Sequence, residues 1–163
     1  MLDSRLKAYG LSAIVFTIDR VSKSLVERHV STFDVHTVIP GFFDIVHSQN
    51  RGVAFGLMND SNSAWRTIIL IVFSSAALLL VAGLLWRASR LDRWTAMGLA
   101  LVLGGAAGNL FDRILWGRVT DFLEFYIGDL HWPTFNVADS CIVIGSGLLL
   151  VELLRPKRQP AGA

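Results

Sequence analysis

The chain has 163 residues, 53% of them hydrophobic and 17% charged, with a mean hydropathy of +0.52; this composition excludes an ordinary soluble domain and predicts an α-helical integral membrane protein. The formal net charge is only +2, and no Lys/Arg-rich run interleaves with aromatic residues, so no nucleic-acid partner is expected. A single cysteine, Cys141, cannot form an intramolecular disulfide and reads as a small buried apolar residue.

In chain order, the first predicted span covers about 8–27. Its uncharged part, Ala8 to Ile18, is followed by "DRVSK", which brings in Asp19, Arg20 and Lys23. Arg5, Lys7 and the apolar stretch imitate a signal peptide, but a charged cluster stands where a small-residue cleavage site would be needed, so the segment is expected to be retained. Asp19 and Lys23 are spaced i,i+4 with the acid first, the favourable order on a helix. That pair has two readings, a structural ion pair near the interface or a role beside an active site.

The connection over 30–63 is long for a loop without structure of its own. Within it, "HTVIPGFFDIVHSQN" places Pro40-Gly41 between two β-prone runs, predicting a small extracytoplasmic β-sheet in this first outer loop. The second span, about 65–86, contains the uncharged run from Thr67 to Trp86, long enough at 1.5 Å per residue to cross a ~30 Å hydrocarbon core. The third, about 94–115, is rich in glycine and alanine, which let helix backbones approach closely. The fourth, about 134–153, carries Asn136 and Asp139 near its beginning. Its "GSG", Gly145 to Gly147, reads as another close-packing site.

Four transmembrane helices put both termini on one side. Arg5 and Lys7 precede the first, Arg87, Arg90 and Arg93 crowd the connection between the second and third, and Arg155, Lys157 and Arg158 follow the last. The positive-inside rule makes these segments cytoplasmic and the connections 30–63 and 116–131 external. Trp65, Trp86, Trp94, Trp116 and Trp132 fall near span ends as an aromatic belt. No repeat or linker divides the chain, so 1–163 is expected to form a single membrane domain.

This topology gathers Asn109, Asp112, Arg113, Asp121, Asn136 and Asp139 at the outer face. Acids in or beside a membrane segment are costly and point to function. Two facing aspartates cannot both ionise easily; sharing one proton, they supply an acid and a base for attack of water on a peptide carbonyl. His29, His36, His47 and His131 are scattered and no "HExxH" occurs, so no metal and no cofactor are expected. Ser22-Lys23-Ser24 holds only adjacent residues, unsuited to a serine–lysine nucleophile. Spacing leaves other readings open. Arg113 or Arg118 could pair with Asp112 or Asp121, Asp139 could cap the fourth helix, and acids within spans also serve proton-coupled transporters.

Five strings in order resemble the motif set of the lipoprotein signal peptidase (type II signal peptidase) family: "DRVSK", "NRGVAFG" from Asn50, "GGAAGNLFDR" ending at Arg113, "GRVTDF" from Gly117, and "FNVADS" from Phe135. The likeness covers nearly the whole chain. It implies a membrane aspartic endopeptidase that removes signal peptides from diacylglyceryl-modified prolipoproteins, cutting before the lipidated cysteine. The resemblance further implies Asp121 and Asp139 as the catalytic pair, and Asn50, Asn109, Arg113 and Asn136 near the substrate. Asp19, Lys23, Gly52 and Asp112 are expected in support. Membrane lipid is the expected surrounding, globomycin-type compounds the expected inhibitors, and a monomer the expected state. The implied location is the bacterial cytoplasmic (inner) membrane, with both termini cytoplasmic and the site near the outer, periplasmic face.

Overall fold

The computed structural model describes residues 4–52, 64–87 and 91–155. The end of the first loop, 53–63, with the last four residues of "NRGVAFG", lies outside the described residues, as do Arg90, Lys157 and Arg158 of the basic segments. The elements are α1 (Ser4–His29), β1 (Val35–Ile39), β2 (Phe43–Asn50), α2 (Ala64–Leu85), α3 (Arg93–Trp116), β3 (Val119–Ile127), β4 (Leu130–His131) and α4 (Val137–Leu154). Each of the four segments expected to be helical contains a helix.

Among the described residues three helices are long and apolar enough to cross a membrane: Thr67–Leu85, Arg93–Trp116 and Val137–Leu154. The remaining helix, α1, spans 26 residues and is long enough, about 39 Å at 1.5 Å per residue, but carries charge. Its arrangement explains how. The buried positions Ala8, Ser12, Val15, Asp19, Lys23 and Val26 recur every three or four residues, a single stripe on the helix. Ile14, Ile18, Val21 and Leu25 on other faces are exposed and apolar. Asp19 and Lys23 therefore face protein while apolar side chains face outward, the arrangement a bilayer demands.

The central helix is α3, which packs against α1, α2 and α4. Close approach is possible because glycine lies at the contacts: a Cβ on Gly105 would stand 2.4 Å from the Ala138 carbonyl oxygen of α4, and one on Gly104 2.6 Å from the Ser12 carbonyl oxygen of α1. Ser12 Oγ donates to the Ala100 carbonyl at 2.9 Å, satisfying its hydroxyl across the same seam. Tyr9 Oη donates to the Ala82 carbonyl at 2.9 Å, linking α1 to α2.

At one end of the bundle the chain forms a four-stranded antiparallel sheet in the order β1-β2-β3-β4. The expected turn at Pro40-Gly41 joins β1 to β2, with the Phe42 N–H donating to the Ile39 carbonyl at 3.0 Å. The sheet is larger than the sequence suggested, because the second connection supplies β3 and β4. Asp121 and Glu124 interrupt the apolar pattern of β3, so its strand character comes from pairing with β2 rather than from local periodicity. The register places Ser48 opposite Asp121 and Asn50 opposite Val119. Asn50 and Asp121 are therefore diagonal neighbours on one face. Phe135, just before α4, exchanges backbone hydrogen bonds with Leu123 (2.8 and 3.1 Å), which ties the start of α4 to β3.

Candidate active site

Where α1, α3, β2, β3 and the start of α4 converge, four carboxylates meet three cations. Asp19, Lys23, Asp112, Asp121 and Asn136 are all nearly inaccessible, with exposures of 0–2%. Asp121 comes from β3 and Asp139 from the first turn of α4. Asn136 joins them: its Nδ2 donates to Asp121 Oδ1 at 2.6 Å and its backbone N–H to Asp139 Oδ2 at 3.2 Å. The latter bond is half of a capping box, whose other half is the Asp139 N–H donating to Asn136 Oδ1 at 2.9 Å. Asp139 thus does help cap α4. That role occupies one oxygen, and the other accepts from Asn109 Nδ2 at 2.7 Å.

Three asparagines surround the two carboxylates, and each has its amide oxygen held by a donor that fixes its direction. Asn136 Oδ1 receives the Asp139 N–H. Asn109 Oδ1 receives Lys23 Nζ at 2.9 Å. Asn50 Oδ1 receives the Gly52 N–H at 2.8 Å, leaving Asn50 Nδ2 to donate to Asp121 Oδ2 at 3.1 Å. Oxygens so occupied turn all three NH2 groups towards the acids. Gly52 has φ +92, a left-handed conformation that favours glycine, so the backbone that orients Asn50 depends on residue type.

Behind the asparagines lies an ionic layer. Lys23 Nζ donates to Asp19 Oδ2 at 2.8 Å and stands 2.8 Å from Asp112 Oδ2. Arg20 pairs with Asp112 Oδ1 and lies over the rings of Phe111 and Trp116 at 5.2 and 4.7 Å, a cation–π arrangement. Asp112 thus takes cations from α1, where the sequence had offered Arg113 or Arg118. Sequence reasoning does not reach Arg20 as a site residue, since its partner is 92 positions away and only helix packing brings them together. Arg113 Nη1 donates weakly to the Asn109 carbonyl at 3.3 Å, and its buried Nε has no hydrogen-bond partner among the described residues. Arg113 lies within electrostatic reach of Asp139 and Asp121.

Burial pushes the Asp121 carboxyl up to about 6 from its ordinary 3.8; the Asn50 amide opposes this, the charge of Asp139 adds to it, and Asn136 and Lys23 oppose it. A carboxyl that keeps its proton up to about pH 6, beside another carboxylate, is suited to acid–base chemistry. Among the described residues no group of three His, Cys, Asp or Glu side chains is placed to hold a metal ion.

The profile of the family described as Signal peptidase (SPase) II matches residues 11–155. The chain is 63% identical over 161 residues to the lipoprotein signal peptidase of Solibacter usitatus, covering 99% of this chain and 98% of that one. This chain belongs to the signal peptidase II family. It is 42% identical to the lipoprotein signal peptidase of Maridesulfovibrio salexigens, over 90% of this chain and 94% of the relative. Two solved bacterial membrane enzyme structures share the fold, with TM-scores of 0.78 and 0.77 at 24% and 25% identity, covering 94% and 93% of this chain and 94% of each of theirs. As a signal peptidase II the protein is a membrane protease, and the transporter reading falls away. Of the residues anticipated for its site, Asp19, Lys23, Asn50, Asn109, Asp112, Asp121, Asn136 and Asp139 belong to one bonded network. Gly52 fixes Asn50, and Arg113 borders the pair with a donor to spare.

Proposed function

We propose that Asp121 and Asp139 act as one acid–base unit in the reaction of this family, removal of the signal peptide from a prolipoprotein. The observation that carries this is the bridging of both carboxylates by Asn136. The charge count supports it: Asp19, Asp112, Asp121 and Asp139 face Lys23, Arg20 and Arg113, so a single proton shared by the catalytic pair makes the cluster neutral. A buried cluster favours neutrality. In the reaction the ionised member takes a proton from water as its oxygen attacks the scissile carbonyl carbon, and the protonated member gives its proton to the carbonyl oxygen. Collapse of the tetrahedral intermediate returns the carbonyl, breaks the C–N bond and delivers a proton to the departing amine. Both protons belong to the pair.

Arg113 supplies the substrate contact. Its Nε, without a partner among the described residues, and its weakly used Nη1 are donors for a peptide carbonyl or a lipid ester oxygen. A substrate held in the bilayer by its own apolar segment and by a diacylglyceryl group presents its cleavage point at the interface, where the sheet end of the bundle meets it. The basic segments orient that end outward, with both termini cytoplasmic and the enzyme in the bacterial inner membrane. Globomycin-type inhibitors would compete for the same place.

The test is single replacement of Asp121 and of Asp139 by asparagine, with cleavage of a lipid-modified precursor followed in membranes. Each variant should insert normally and lose at least about 10³-fold in rate. Retention of cleavage by either would overturn the dyad.

A further inference from the structure

Lys23 is a fully buried cation whose contacts exceed what an ion pair needs. We propose that Lys23 is a positioning residue whose ammonium sets the direction of the Asn109 amide and so holds Asp139 in its working orientation. This rests on the dyad reading, which is tested separately by replacing the aspartates themselves.

An ion pair that only fastened α1 to α3 would be complete with Asp19 and Asp112. Lys23 also donates to Asn109 Oδ1 at 2.9 Å. An ammonium has donors and no acceptor, so the asparagine must turn its oxygen to Lys23 and its NH2 to Asp139, where the bond is 2.7 Å. The flipped amide would set NH2 against ammonium and oxygen against carboxylate, two repulsive contacts at a buried position. A second line runs through Asp19. Its Oδ2 holds Lys23, and its Oδ1 accepts the backbone N–H of Ala138 at 2.9 Å. The residue before Asp139 is thereby referred to the same lysine. Gly108 makes room for this, since a Cβ there would stand 2.3 Å from Asp19 Oδ2. Asn136 Nδ2 also donates to Asn109 Oδ1, at the longer distance of 3.2 Å, so Lys23 is the closer and only charged donor to that oxygen; it bears on both the side-chain partner of Asp139 and the helix turn that carries it.

The experiment uses the full-length enzyme in detergent or liposomes with a lipid-modified precursor. Lys23→Met alone leaves an unpaired buried acid, so it is combined with Asp19→Asn, which keeps an oxygen for the Ala138 N–H and leaves the Arg20–Asp112 pair in place. A second double variant, Lys23→Gln with Asp19→Asn, restores an N–H donor without charge. In folded protein, Lys23→Met/Asp19→Asn should lower kcat on the order of 100-fold with KM nearly unchanged, the size expected when a reacting group is displaced. The glutamine variant should recover at least about tenfold of that loss through its restored donor. A methionine variant with wild-type kcat, or a glutamine variant no better than it, would overturn the proposal. Should the methionine variant fail to fold, the glutamine variant decides: kcat within about tenfold of wild type supports the role of the donor, and a larger loss overturns it.

Discussion

Asn136 Nδ2 lies 2.6 Å from Asp121 Oδ1 while its own Oδ1 accepts the backbone N–H of Asp139. One side chain therefore starts α4 and couples the two acids. The roles are separable, because serine caps a helix about as well as asparagine but has no NH2 to send to Asp121. Asn136→Ser should keep its thermal stability and lose on the order of 100-fold in kcat, whereas Asn136→Ala should lose activity and also about 1 kcal/mol of stability. Thermal unfolding in detergent beside precursor cleavage distinguishes the two.

The Asp121 carboxyl, raised to about 6 chiefly by burial, predicts the alkaline limb of the rate profile. In the proposed dyad the working form holds one proton and loses it as pH rises, so kcat/KM should fall above about pH 6. Bound peptide buries the site further and should move the limb of kcat to higher pH. Asn50 donates to the ionised form of Asp121 and holds its carboxyl down. Asn50→Leu should therefore shift the kcat/KM limb upward. A downward shift, or none, would contradict the role of that bond.

The same titration affects stability. Between 3.8 and about 6 the folded protein binds a proton that the unfolded chain has released, so the contribution of this group to stability is full below 3.8 and is lost as pH rises through 6. Asp121→Asn, which cannot ionise, should be more stable than wild type above about pH 6, by at most about 3 kcal/mol from the separation of the two values. The difference should vanish near about pH 4. Apparent melting temperatures of both proteins across this range provide the check.

Most of the helical framework is legible in the sequence because a bilayer requires long uncharged runs, and the runs at 67–86 and 94–111 declare themselves. α1 is harder to read, since Asp19, Arg20 and Lys23 lower its hydropathy. Only the three- and four-residue spacing of its buried positions shows that Asp19 and Lys23 face inward. β3 and β4 are hidden from a sequence reading because their pairing is long-range: Phe43 meets Phe125 and Asn50 meets Val119, contacts that no local pattern announces. The acids are legible through their neighbours in "GRVTDF" and "FNVADS". The direction of each asparagine amide is not, for it depends on donors such as the Gly52 N–H and Lys23 Nζ that folding brings alongside.

Packing supplies the last prediction. Asp139 sits one residue beyond Ala138, whose carbonyl oxygen would lie 2.4 Å from a Cβ placed on Gly105. Backbone cannot yield as a flexible side chain does, so Gly105→Ala must push the first turn of α4 away from α3. That movement lengthens the Asn109–Asp139 bond of 2.7 Å and the Asp19–Ala138 bond of 2.9 Å together. The expected result is a loss of about 1–3 kcal/mol in stability and a fall of on the order of 100-fold in kcat. Gly83 on α2, where an added methyl would meet none of the described residues within 4 Å, is the control: Gly83→Ala should keep wild-type activity and match or exceed wild-type stability, because alanine favours a helix by about 1 kcal/mol over glycine. If Gly105→Ala also cleaved at the wild-type rate, contact between α3 and the first turn of α4 would not be what holds Asp139 in place.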